Sequence, residues 1–420
     1  MDDFVARDGR LCAEGVPLAA VAARVGTPTY VYSRNTLVQH FRRLKAAYAP
    51  VRPVIRYALK ANGNLAVLRV LAEEGAGFDV VSRGEIHRVL RAGGDPSKID
   101  FAGVGKREDE IAFALESGID VFNVESEGEL ALLDTLGRGR GRPARVALRV
   151  NPDVDPKTHV YITTGKKENK FGLDFDRARE LAAVMPSRRG VRFAGLHVHI
   201  GSQITQVQPY VDMVTRLLAL ARELKASHPT LEHVNIGGGF GIHYKEHEAP
   251  EIADYARALL PLLEGCGFSV HMEPGRLLVG NAGVLLTRVL YVKRGGERRF
   301  VVVDAAMNDL LRPSLYGAFH RIEPVAPRAG PEGPADVVGP VCESGDFLGK
   351  DRALPPVEPG DLLAVRSAGA YAFVMSSQYN ARPRAAEVLV DGARFGVARR
   401  RESLDDLVRG ETPTPDWETP

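Results

Sequence analysis

Cysteine is scarce in this chain, and its scarcity removes several function classes at once. The three cysteines, Cys12, Cys266 and Cys342, lie far apart with no CxxC pair. An odd, sparse set supports neither a disulfide framework nor a structural zinc site, and it fits a reducing compartment. A surplus of one charge is missing too. The 55 basic and 53 acidic residues leave a formal net charge of +2, no footprint for nucleic acid or an anionic membrane. No apolar run approaches the length of a membrane span. The opening Met1-Asp2-Asp3-Phe4 is acidic and lacks the apolar stretch of a signal peptide, so the expected location is the cytoplasm. Internal repeats and low-complexity tracts are absent as well.

What is present is an ordinary globular composition, 45% hydrophobic and 26% charged over 420 residues, enough for one large domain and a smaller one. From about residue 50 to residue 275, strand-like apolar runs alternate with segments of helical period. The strand candidates are 54–58, 78–81, 99–102, 120–124, 145–150, 193–200, 233–236 and 269–272. Ser82-Arg83-Gly84-Glu85 and Ser126-Glu127-Gly128-Glu129 read as capping boxes ahead of two of the helices. Eight such units predict a (β/α)8 TIM-type barrel. An open doubly wound sheet is the rival, but it usually carries a GxGxxG turn after its first strand, and Leu59-Lys60-Ala61-Asn62-Gly63 supplies none. Beyond residue 276 the pattern turns to hairpins, as around Arg294-Gly295-Gly296-Glu297, and predicts a second, mainly β domain of sandwich or barrel type. The expected layout is residues 1–29 joining that domain, 30–276 the barrel, 277–411 the β domain and 412–420 a disordered tail. The Pro/Gly-rich stretch 326–338 reads as a mobile loop.

The unusual polar residues fall at the C-terminal ends of the strands, where this architecture gathers its chemistry. Lys60 closes the first strand. In a partly dry site, desolvation disfavours its ammonium form and frees the amine as a nucleophile, the requirement for a Schiff base with a carbonyl cofactor. A lysine at a strand end otherwise simply reaches water. The sixth strand carries His197 and His199, which alternation points the same way, one of them toward the mouth. His197 alone reads equally well as a hydrogen-bonded core histidine. Metal binding by this pair carries little weight, because no third ligand appears with its own spacing. The seventh strand ends in Gly237-Gly238-Gly239, whose backbone amides can converge on a phosphate. The eighth ends in Glu273-Pro274-Gly275-Arg276, where the carboxylate needs a cation, either Arg276 or a protonated pyridine nitrogen. Nucleophilic lysine, ring-facing histidine, phosphate turn and carboxylate are together the parts that hold pyridoxal 5′-phosphate.

On these motifs the chain resembles the fold-type III pyridoxal-phosphate decarboxylases over nearly its whole length. The matching segments include Tyr57-Ala58-Leu59-Lys60-Ala61-Asn62, Lys167-Glu168-Asn169-Lys170-Phe171-Gly172, His199-Ile200-Gly201-Ser202-Gln203 and Glu273-Pro274-Gly275-Arg276. More specific are Arg312-Pro313-Ser314-Leu315-Tyr316, Cys342-Glu343-Ser344-Gly345-Asp346 and Gly369-Ala370-Tyr371. The resemblance implies that Lys60 holds the cofactor as a Schiff base, His199 stacks on its ring and Glu273 pairs with the ring nitrogen. It places Ser202, Gly237, Gly238, Gly239, Gly275, Arg276 and Tyr371 around the phosphate. Arg276, Arg312, Tyr316, Glu343 and Tyr371 would hold the substrate, and Cys342 would protonate the product. It further implies a homodimer in which Cys342 and Glu343 reach in from the neighbouring protomer. Within the family, the segment beginning Cys342-Glu343 points to the branch that decarboxylates meso-2,6-diaminoheptanedioate to L-lysine. Relatives acting on ornithine or arginine typically carry Asp where Glu343 stands. The alternatives are a decarboxylase of another basic amino acid or of carboxynorspermidine, an amino-acid racemase, and a non-catalytic binding paralogue. Gly63, where relatives often have proline, is a departure confined to a loop.

Overall fold

Parallel strands buried on both faces need a covering helix each, and they lose their free edges only by closing on themselves. The computed structural model, which describes residues 2–155, 170–245 and 248–418, has that arrangement in its first compact unit, Arg34–Ala282 with Gly369–Val374. The barrel strands are β1 (Val54–Ala58), β2 (Gly77–Val80), β3 (Ile99–Phe101), β4 (Val121–Val124), β5 (Ala144–Arg149), β6 (Val191–His197), β7 (His233–Asn235) and β8 (Ser269–Met272). They pair in parallel in chain order, and β8 closes on β1 through His271↔Val54 and Met272↔Ile55. All eight coincide with the expected runs to within a few residues. The differences come at strand ends, where apolar character outlasts the hydrogen-bonded ladder.

Helices follow each strand. Ser82 caps Arg83–Arg91 and Ser126 caps Glu127–Gly139, each accepting the N–H of the glutamate three residues on. The reciprocal half differs from the expected box. Glu85 accepts from Val81 N and Glu129 from Glu125 N, one residue further back than the cap itself. After β8 the helix is only Arg276–Val279, and Arg34–Ala47 packs beside Leu65–Glu73 and Ile252–Leu263 in its stead.

The second unit, Asp3–Ser33 with Gly283–Ala368 and Met375–Pro420, is mainly β. Its spine is the strand Gly283–Gly295, which pairs in turn with Thr29–Ser33, Leu362–Val365 and Arg298–Val303. Tyr30–Ser33, expected at the start of the barrel, lie here because Thr29–Ser33 is also bonded in parallel to Ala386–Asp391. The core joins Phe4, Leu18 and Val21 to Val284, Leu286 and Val388. One expectation is corrected. Gly333–Val338, within the supposed mobile loop, is a strand between Arg298–Val303 and Phe347–Leu354. Its Pro334 precedes the Phe300↔Asp336 pairing, so the missing N–H falls where no parallel ladder bond is needed.

Gly195 in β6 lies opposite His233 in β7, and a Cβ there would stand 2.1 Å from the imidazole. Gly195→Ala is therefore expected to lower stability by about 1–3 kcal/mol, the usual cost of overpacking, measured by urea unfolding. An unchanged midpoint would mean that the ring has another place to go.

Candidate active site

Three barrel exits lock together at the end of β7. Gly237 and Gly239 adopt φ of +69° and +96°, which other residues rarely tolerate. A Cβ on Gly238 would lie 2.0 Å from the Glu273 carbonyl oxygen, and one on Gly239 would lie 2.2 Å from that of Gly201. Only glycine lets β7 leave between the exits of β6 and β8. Ser202 follows Gly201, and its Oγ accepts from Arg276 Nη2 at 3.0 Å. Arg276 Nη1 donates to the Tyr244 hydroxyl at 2.5 Å, and the guanidinium lies 4.8 Å from the centroid of the Tyr371 ring. Gly275 packs against Ala58, 3.2 Å from a would-be Cβ. Tyr371 N donates to Ala61 O at 2.8 Å, which seats Tyr371 beside the end of β1.

Glu273 closes the ring of strand ends with a carboxylate only 4% exposed. Its Oε1 accepts from Asn235 Nδ2 at 2.6 Å and Asn123 Nδ2 at 3.3 Å, and Oε2 accepts from His197 Nε2 at 2.9 Å. Burial alone would favour its protonated form. The electrostatic influence and hydrogen bond of His197, with the positive charge of Lys60, outweigh burial and hold Glu273 well below the usual carboxylate range. His197 is thus a core histidine with a task. His199, two residues on, accepts Gly238 N–H on Nδ1 at 3.2 Å, which leaves its proton on Nε2. Burial, then the charges of Lys60 and Arg149, push His199 well below the ordinary imidazole value, so it is neutral at pH 7.

Lys60 corrects an expectation. Its Nζ donates to Asp79 Oδ2 at 3.2 Å, with Asp79 fully buried. Burial does act to lower the lysine's proton affinity, but Asp79, Tyr371 and Glu273 more than reverse it, so the ammonium form is favoured. Asp79 in turn is pushed up to about 6 by burial and by repulsion from Glu273, against the pull of Lys60. Nearby, Arg149 Nη1 donates to Glu125 Oε1 at 2.7 Å, and its guanidinium lies 4.9 Å from the Phe171 ring centroid. Of the motif Lys167–Gly172, the first three residues lie outside the described residues.

The first unit thus brings together Lys60, His199, Ser202, Gly237, Gly238, Gly239, Glu273, Gly275, Arg276 and Tyr371. The other four expected residues belong to the second unit. Arg312 is buried, donating to His320 Nε2 at 2.8 Å, and Tyr316 ends the same short helix, Arg312–Tyr316. Cys342 is exposed rather than packed as a small apolar core residue, and Glu343 Oε2 accepts from the Tyr379 hydroxyl at 3.4 Å. Sequence reasoning missed Asp79, Asn123, Asn235 and Tyr244, which are unremarkable polar residues until strand register and loop path bring them to the same end. Asn235, two residues before the first glycine of the turn, was the one with a visible signal.

The donor set fits pyridoxal 5′-phosphate. A turn in which a Cβ would clash, a serine hydroxyl and a fixed guanidinium form an anion cradle, and an amine and a buried carboxylate share the same barrel end. Asp79→Asn should lower the proton affinity of Lys60, because burial would then act with less opposition. The pH midpoint for reaction of Lys60 with an aldehyde should move to lower pH, measured by absorbance. An unmoved midpoint would remove Asp79 from control of the lysine.

The pyridoxal-binding domain of the pyridoxal-dependent decarboxylases matches residues 34–280. The diaminopimelate decarboxylase of Pseudomonas aeruginosa is 51% identical over 415 residues, 99% of this chain and 100% of that one. The Helicobacter pylori enzyme of the same name, solved with L-lysine, superposes with a TM-score of 0.90 at 42% identity, covering 93% of this chain and 98% of that one. The M. jannaschii enzyme, also solved with L-lysine, reaches a TM-score of 0.93 at 36% identity, covering 98% and 99%. Glycine turn, lysine and buried carboxylate thus stand in a chain that belongs to the pyridoxal-dependent decarboxylases and, among them, to the diaminopimelate decarboxylase family.

Proposed function

We propose that this chain is a pyridoxal-phosphate-dependent carboxy-lyase that converts meso-2,6-diaminoheptanedioate to L-lysine and carbon dioxide, the last step of lysine biosynthesis. The observation that carries the reading is the buried, ionised Glu273 at the same barrel end as Lys60. A carboxylate held charged out of water by amides and an imidazole is suited to face a cationic ring nitrogen.

The cofactor, when bound, supplies an electron-withdrawing ring that takes up the electron pair left behind as carbon dioxide departs. Lys60 would hold its aldehyde carbon through the side-chain amine. Glu273 keeps a proton on the ring nitrogen, and neutral His199 offers an uncharged face for stacking. Gly237, Gly238, Gly239, Ser202, Gly275, Arg276 and Tyr371 anchor the phosphate. The substrate has an amino-acid group at each end, and only one loses its carboxylate. Arg276 and Arg312, with Tyr316 and Tyr371, suit the carboxylate that stays, and Glu343 suits the distal ammonium. A monoamine without that second carboxylate would leave buried guanidinium charge unmatched. Cys342 delivers the proton to the product carbon.

We infer a homodimer with shared sites and a cytoplasmic setting. The exposure of Cys342 and Glu343 on the second unit supports the first, and the sparse, unpaired cysteines support the second.

With added pyridoxal phosphate, meso-diaminopimelate should release carbon dioxide and give L-lysine, while ornithine and L-lysine in parallel should be poor substrates. Preferred turnover of either monoamine would overturn the assignment of Arg312 and Glu343. Lys60→Ala and Cys342→Ala should each be inactive, and Lys60→Ala should lose the visible band of the bound cofactor. Mixed in equal amounts and allowed to exchange subunits, the two variants should recover roughly a quarter of the activity, since half the dimers then carry one intact site. No recovery despite demonstrated exchange would sink the shared-site arrangement.

A further inference from the structure

The barrel interior holds charge that the proposed mechanism leaves unused. Below Glu273, Asp100 is 1% exposed and Arg56 2% exposed. They pair with each other, and Arg56 pairs again with Asp120. The interior is shaped for them, because a Cβ on Gly77 would stand 2.9 Å from Arg56 Cγ. Stability gives little reason to keep such a pair, since buried ion pairs can often be replaced by apolar residues without loss. The residue between this pair and the mouth is Asn235. Its Nδ2 donates to Glu273 Oε1 at 2.6 Å and to Asp100 Oδ2 at 3.3 Å, and its Oδ1 accepts Gly237 N–H at 2.9 Å.

Both amide hydrogens therefore face carboxylates, and the amide oxygen holds the first residue of the glycine turn. Flipping the amide would turn its oxygen toward two carboxylates and its nitrogen toward a backbone N–H, so one orientation is enforced. We propose that Asn235 is the positioning residue that locks the Glu273 carboxylate and the glycine turn into one arrangement, and that the buried Asp100–Arg56 pair is kept because it holds the Asn235 amide. The inference rests on the cofactor reading above and adds a link between the ring-nitrogen end and the phosphate end of the site.

The test compares dissociation constants of the full chain for three ligands: pyridoxal 5′-phosphate, its analogue with carbon in place of the ring nitrogen, and pyridoxal without phosphate. In Asn235→Leu, affinity for the phosphate should fall roughly tenfold to a hundredfold, the range for hydrogen bonds to charged groups. The two analogues should lose less, each lacking one of the two contacts that Asn235 organises. The double variant Arg56→Met/Asp100→Leu leaves Asp120 with Arg145, its other partner. It should weaken pyridoxal phosphate roughly tenfold and each of the two analogues less. If Asn235→Leu does not fold, the double variant decides alone. Equal losses for all three ligands, or no loss for pyridoxal phosphate, would overturn the positioning role. Failure of the unaltered chain to bind pyridoxal phosphate would instead overturn the cofactor reading and, with it, this inference.

Discussion

One carboxylate has to stay charged out of water, and much of the barrel mouth is arranged around that requirement. Glu273 is 4% exposed, and burial drives it toward the acid form. Two asparagine amides and an imidazole meet its oxygens, from β4, β6 and β7, so strands on both sides of the barrel contribute to a single anion. Such a site is costly if any donor is missing, because the penalty for an unmet buried charge exceeds the gain from each bond.

The same anion orders the other carboxylates. Burial, with repulsion from Glu273 added to it, pushes Asp79 and Asp100 up, while Glu273 is held down. Neighbouring acids with proton affinities driven apart are the usual means of giving like groups unlike tasks. Lys60 takes part in this balance. Burial acts against its ammonium form, but Asp79, Tyr371 and Glu273 together favour it, so its readiness as a nucleophile is set by that opposition rather than by the dryness of the strand end alone.

Much of the fold was legible because its signals are local. Buried strands of β1 to β8 appear as apolar runs, helix starts appear as Ser82 and Ser126, and the glycine turn is a contiguous motif. Local signals also misled. Proline and glycine near residue 333 suggested a loop, but Gly333–Val338 gains two strand partners that are distant in sequence. Lys60 suggested a depressed proton affinity, but its counter-ion comes from the next strand. Asp79 lies 19 residues on and is placed beside the lysine by the β1–β2 register.

Composition, period and motif were enough to set the barrel architecture, the β character of the remainder and the placing of Lys60, His199, Gly237–Gly239 and Glu273 at strand ends. Those properties depend on residues adjacent in the chain, where side-chain alternation and backbone freedom act over a few positions. Tertiary structure alone decided which groups carry charge, which imidazole meets Glu273 and which amide joins the carboxylate to the phosphate turn. Those depend on distances between strands far apart in sequence. Coulombic and desolvation energies change steeply over a few ångströms, and only barrel closure sets those distances.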